Sequence, residues 1–263
     1  MTPPGPRSRR RGGRAGSRPS LDVLWDSVQP GSEVFEPGAI AGHPEPARRY
    51  LEHAIDPGTP LAAAVRLRMS GEIKLKRWLP FEAEQVISWD RGFVWRAVVR
   101  MGWVRIRGSD RLVDGRALMR WKLFGLVPVV TASGPDIDRS ATGRLAAECV
   151  WLPSALCSRA VGWAAEGGTG VRVGLPVGGR VTDLELELSP SGRLESVSLQ
   201  RWGELGQDAG FGLRAFGAIV EDEMSYAGYA IPSRLRVGWD FDGGRFGPDG
   251  EFFRCRIGAV RFR

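Results

Sequence analysis

At 263 residues, with 43% hydrophobic content and ten Trp, the chain holds material for a sizeable core, which excludes a fibrous or wholly disordered protein. Its formal charge of +7 looks like a nucleic-acid signature until the charges are located. Arg7, Arg9, Arg10, Arg11, Arg14 and Arg18 all precede the first acid, Asp22, leaving 31 of the 37 basic residues against 30 acids in the rest of the chain, a balance that argues against nucleic-acid binding by the body.

Residues 1–20 are Arg, Gly, Pro and Ser with almost nothing apolar, so they predict a disordered basic tail. Such a tail is either an electrostatic arm able to contact nucleic acid or membrane, or an inert extension. Residues 21–45 scatter Leu24, Trp25, Val28 and Phe35 among Pro and Gly and read as an irregular lead-in. From Pro46 to Ile55 a Pro stands at a helix start, Ala47, Tyr50, Leu51 and Ile55 share one side, and Pro-Gly follows, which predicts a short amphipathic helix. Val65, Leu67, Met69, Ile73 and Leu75 then alternate with polar residues, the pattern of a strand with one buried face. Strand-like runs follow at 81–89, 93–100, 103–107 and 117–123, separated by turn signals such as Asp90-Arg91-Gly92 and Asp114-Gly115. After Ser133-Gly134-Pro135 the spacing of Leu145, Cys149 and Leu152 predicts a helix that Asp136 or Asp138 caps and that ends before Pro153. Strand patterns return at 170–175, 181–188, 194–202, 212–220, 234–241 and 252–262.

Without repeats or an internal linker, residues 46–263 are expected to form one domain. A sheet with one apolar face must cover it. The expected fold is therefore α+β, a large curved antiparallel sheet forming a half-barrel with two or three helices on its concave face.

No motif fixes a reaction. Both histidines, His43 and His53, precede the main body, and the chain has no G-x-S-x-G elbow, Walker loop or G-x-G-x-x-G after a strand, so neither a metal nor a cofactor is expected. Cys149, Cys157 and Cys255 are odd in number without C-x-x-C spacing, which fits a reducing compartment. No stretch approaches the roughly 18 apolar residues of a membrane helix, and the Arg-rich start is not followed by an apolar region, so the reading is cytoplasmic. The sequence leaves the oligomeric state open.

What stands out is the density of aromatics beside charges: Arg77-Trp78-Leu79-Pro80-Phe81, Phe93-Val94-Trp95-Arg96, Arg120-Trp121-Lys122 and Cys149-Val150-Trp151. One reading makes them walls of an apolar cavity for a lipid-like molecule, with Arg96, Arg120 or Arg144 reaching an anionic head group. Its candidate binding residues are Trp78, Phe81, Trp95, Arg96, Trp121, Arg144, Glu148 and Trp151. The other reading makes the aromatics ordinary core filling crossed by arginine stems, and Glu148 an ion pair with Arg144 one helical turn away. Two further functions stay open: an enzyme using Asp110, Asp136 or Glu148 beside an arginine on a hydrophobic substrate, and a scaffold whose basic tail makes the contacts. Arg66 and Arg68, Arg105 and Arg107, and Arg254 and Arg256 alternate along strands as a candidate basic strip, although a neutral body argues against a strong one.

The stretches GEIKLKRWLPFEAEQVISWDRGFVWRA and GSDRLVDGRALMRWKLFGLVPVVTASGPDIDRSATGRLAAECVWLP, the RWG at 201–203 and the segment from Tyr229 to Trp239 together resemble an uncharacterised bacterial family of unknown function, catalogue number 6544 or its relative 6920. The resemblance covers most of residues 45–262 and brings no activity, cofactor or site residue. The strand order and helix placement also look like the half-barrel of bacterial lipoprotein carriers, which enclose acyl chains, an analogy of architecture alone.

Overall fold

The computed structural model describes residues 20–206 and 209–263. Apart from Ser20, the basic tail expected at residues 1–20 lies outside the described residues. Ser20 is the N-cap of helix α1 (Leu21–Ser27), its hydroxyl accepting from the Val23 N–H. The stretch read as an irregular lead-in thus begins with a helix, which buries Leu21, Leu24 and Trp25.

After a 3-10 turn at Pro37–Ile40, helix α2 (Glu45–Ala54) occupies the segment whose spacing predicts it. Six strands then run as a meander: β1 (Ala64–Lys74), β2 (Trp78–Ser88), β3 (Gly92–Met101), β4 (Val104–Val113), β5 (Arg116–Leu123) and β6 (Val127–Ala132). Helix α3 (Pro135–Glu148) and two 3-10 turns, Cys149–Trp151 and Pro153–Cys157, lead to β7 (Gly162–Ala165), β8 (Gly170–Val177), β9 (Arg180–Leu188), β10 (Leu194–Glu204), β11 (Phe211–Tyr226) and β12 (Tyr229–Trp239). A small hairpin of β13 (Phe241–Asp242) and β14 (Arg245–Phe246) precedes the last strand, β15 (Glu251–Phe262). All strands but the small hairpin join one antiparallel sheet in the order β6-β5-β4-β3-β2-β1-β15-β12-β11-β10-β9-β8-β7, curved and not closed. β15 therefore joins the two meanders by pairing with β1 on one side and β12 on the other.

Residues of period two place every second side chain on the same face. Val65, Leu67 and Met69 of β1 turn to the concave face with α2 and α3, while Ala64, Val86 and Val94 turn to the convex face, where α1 packs. Two of the three helices cover the concave side and the third lies on the opposite side, because its Leu21, Leu24 and Trp25 meet those three outward apolar residues. The turns at Asp114-Gly115 and Ser189–Gly192 fall where their residues predict, with Asp114, Gly115 and Gly192 all at positive φ. β6 and β7 lie outside the strand patterns of the sequence. β6 is an edge strand exposed at all but its last residue, so neither of its faces carries the alternation that marks half-buried strands.

Candidate functional site

Strand register builds the concave face in rows. Val65, Ile87, Phe93, Leu112 and Ala117 stand side by side across β1 to β5, and the next row is Leu67, Gln85, Trp95, Asp110 and Met119. A third row holds Met69, Ala83, Ala97, Gly108 and Trp121, and a fourth holds Phe81, Val99, Ile106 and Leu123. Three small residues thus lead up to Trp121, and its indole lies across Gly108, where any Cβ would enter the ring.

Over the second row α3 lays two charged side chains one turn apart. Arg144 donates through Nε to Glu148 Oε1 at 2.7 Å and through Nη1 to Asp110 Oδ2 at 3.2 Å. Trp121 Nε1 donates to Asp110 Oδ1 at 3.1 Å, and Gln85 Nε2 to Glu148 Oε2 at 2.6 Å. The Arg144 guanidinium also lies over the Phe93 and Trp95 rings, 4.5 and 5.3 Å from their centroids. On the other side of α3, Arg201 donates to the Ser140 carbonyl and stacks over Phe216 and Trp239.

Burial pushes the Asp110 carboxyl above its ordinary value, although Arg144 and the Trp121 N–H pull it down. The two carboxylates raise the Arg144 guanidinium against the cost of its burial. Arg201, desolvated and facing the Arg144 charge, is pressed down. Two acids and two arginines balance, and donors engage both carboxylates.

Two atoms in this row lack a partner. Trp95 Nε1 and Gln85 Oε1 are buried without any hydrogen bond, on cross-strand neighbours that are 3% and 1% exposed. Beyond α3, toward the turns after β1, β3 and β5, the concave face is only half covered. Ile106, Leu123 and Trp121 are half-buried there, as are Ile73, Phe253 and Val237, which form one cross-strand row over β1, β15 and β12. Phe81 stacks on Phe253 at 4.9 Å and meets Trp95 edge-on at 6.1 Å, and Trp95 meets Trp121 at 5.7 Å. This is an open apolar strip with a buried polar row behind it.

Of the eight residues singled out by sequence, the structure brings five together here: Phe81, Trp95, Trp121, Arg144 and Glu148. Arg96 does not join them. It follows Trp95 by one position, so strand alternation turns it outward, exposed on the convex face opposite Glu84. Trp78 is on the convex face too, paired with Lys74 and covered by Arg254 at 4.2 Å. Trp151 is buried away from the strip, donating to the Pro232 carbonyl. Asp136 and Asp138 leave the helix cap to Gly134; Asp136 accepts instead from Trp202 and Asp138 from the Ala117 N–H. Asp110 belongs to the cluster, whereas Asp136 does not. Gln85 and Gly108 were missed, and only the register of three hairpins reveals them.

Two open clefts of about 410 and 470 Å³ lie on the convex face, one lined by Trp78, Arg245 and Asp249 among others, the second by Glu72, Arg234 and Arg256 among others. Their cations are largely neutralised: Glu221 pairs Arg234 and Arg236, Glu251 pairs Arg236 and Arg254, and Asp249 pairs Lys74. The candidate basic strip of alternating arginines is broken in the same way at Arg66, which meets both Glu84 and Asp22, as the neutral body predicts. Among the described residues no cluster of His, Cys, Asp or Glu could hold a metal, and no helix is long and apolar enough to cross a membrane.

Residues 33–249 match the model of a family described as "Family of unknown function (DUF6544)". A search of curated proteins finds no match. Among solved structures the chain is similar to a LolA superfamily protein from Nitrosomonas europaea, with a TM-score of 0.42 at 8% identity over 83% of this chain and 92% of that one. It is also similar to a putative outer membrane lipoprotein-sorting protein domain from Vibrio parahaemolyticus, with a TM-score of 0.41 at 8% identity over 76% and 86% of the two chains.

Proposed function

The chain belongs to the family of unknown function DUF6544, which assigns no activity, and on the geometry we propose that it is a non-enzymatic binding protein for an amphipathic, lipid-like small molecule. The apolar part of such a molecule fits the half-covered strip of Trp121, Ile106, Leu123 and Phe253, and its polar end fits the row of Gln85, Trp95 and Asp110 beneath Arg144. The observation that carries this reading is the pair of orphaned atoms, Trp95 Nε1 and Gln85 Oε1, one donor and one acceptor, on cross-strand neighbours of the row that α3 covers.

The reading is tested by native mass spectrometry and organic extraction of the gently purified chain, and by titration with a fluorescent fatty-acid probe. A copurifying amphipathic molecule is expected, with probe affinity reduced at least about tenfold by Ile106→Glu. An empty protein whose probe binding is unchanged by Ile106→Glu and Trp121→Ala would refute it.

A further inference from the structure

The hairpin turns after β1, β3 and β5 lie at one end of the sheet, since each pair of strands in the meander is antiparallel. They expose Leu75, Met101, Trp103, Phe124, Leu126 and Val127 to solvent; Trp103 is 83% and Leu126 79% exposed. Trp103 and Phe124 stack across two turns with ring centroids 5.8 Å apart, so the apolar side chains of the turns after β3 and β5 adjoin instead of standing isolated.

The turns themselves and the strand ends beside them carry charges of one sign. Segments 73–81, 97–109 and 118–130, which form these turns and the strand ends beside them, contain Lys74, Lys76, Arg77, Arg100, Arg105, Arg107, Arg120 and Lys122 and no acid. All three lysines of the chain are among them. Lys74 and Arg100 are neutralised by Asp249 and Glu82, while among the described residues no carboxylate forms an ion pair with Lys76, Arg77, Arg105, Arg107 or Lys122. The convex surface elsewhere intersperses arginine with glutamate, so the excess at this end is local.

We propose that this end of the sheet docks on an anionic lipid bilayer, with Trp103, Phe124 and Leu126 entering the headgroup region and the surrounding cations meeting lipid phosphates. Charge complementarity selects this occupant. A second copy seated here would bring two sets of like charges together, and a nucleic acid offers no partner for exposed Leu75, Leu126 and Val127. The half-covered strip of Ile106, Leu123 and Phe253 opens toward the same end, but docking stands on the turns alone and does not require the proposed ligand.

The test is cosedimentation of the full chain with vesicles of phosphatidylcholine alone or mixed with phosphatidylglycerol. Binding is expected only to the anionic vesicles, weakening with salt. It should fall more than about tenfold in Trp103→Ser with Phe124→Ser, and likewise in Arg105→Glu with Arg107→Glu. Leu126→Ser, which removes a side chain that almost nothing covers, gives the same test should the double variants fold poorly. Brominated lipid should quench the wild-type tryptophan emission more than that of Trp103→Phe. Vesicle binding unaltered by these substitutions would assign it to the Arg-rich residues 1–20 and overturn the proposal. So would a dimer that the same substitutions dissolve, or binding to single-stranded DNA in place of vesicles. Loss of probe binding in Ile106→Glu with vesicle binding intact would separate the ligand site from the docking end.

Discussion

Gly108 stands directly opposite Trp121 in the pairing of β4 with β5, and the indole covers the space that a side chain at 108 would fill. That contact aims Trp121 Nε1 at Asp110, two residues along β4, and so places one wall of the concave site.

Gly108→Ala is expected to push the indole off the strand and break its bond to Asp110. The cost is that of forcing extra volume into a packed face, about 1–3 kcal/mol. A lower urea midpoint and a changed tryptophan emission spectrum check it; an unchanged spectrum would show that the ring does not depend on the glycine.

Arg144 bridges Asp110 and Glu148, so Arg144→Ala leaves two largely buried carboxylates without the cation that hydrogen-bonds both, and Arg201 bonds neither. Removing one partner from such a cluster costs about 3 kcal/mol or more. Lysine should not restore it, because a single ammonium lacks the planar fork that reaches both acids. Chemical denaturation of the two variants measures both statements.

Asp110 gives the cluster an unusual pH dependence. Its folded carboxyl is raised above the ordinary value of 3.8, so over the window between those values the folded chain holds a proton that the unfolded chain has released. This residue therefore lowers stability as pH rises through that window, the opposite of a surface carboxylate such as Asp240, which Arg214 holds low and whose contribution is lost as pH falls. In urea titrations across the acid range, the stability of the wild type minus that of Asp110→Asn should decline with increasing pH. A difference that rises instead would contradict the assigned direction.

Cys149 and Cys255 are buried and Cys157 is nearly so. Burial pushes the Cys157 and Cys255 thiols up to about 12 and Cys149 in the same direction, so almost no thiolate exists near neutral pH. Iodoacetamide should label the native chain slowly and the urea-unfolded chain at all three positions. Rapid native labelling, read by mass spectrometry, would point to local opening around Pro153–Cys157 or β15.

Alternation along 65–69 and the turn residues at Asp114-Gly115 and Ser189–Gly192 are local chemistry, and by themselves they determine an antiparallel sheet with one apolar face. The same period of two already separates Trp95 from its neighbour Arg96, because adjacent strand residues cannot share a face. Helix α1 was hidden because three apolar residues in seven make too short a pattern, and β6 because an exposed edge strand needs none. Only the tertiary structure could bring Asp110 to Arg144, 34 residues away, and Gln85 to Glu148, 63 away, since those pairs depend on where α3 crosses the strands. The crossing is set by which long-range surfaces bury one another, and a buried charge cluster becomes affordable only once that packing has aligned its partners.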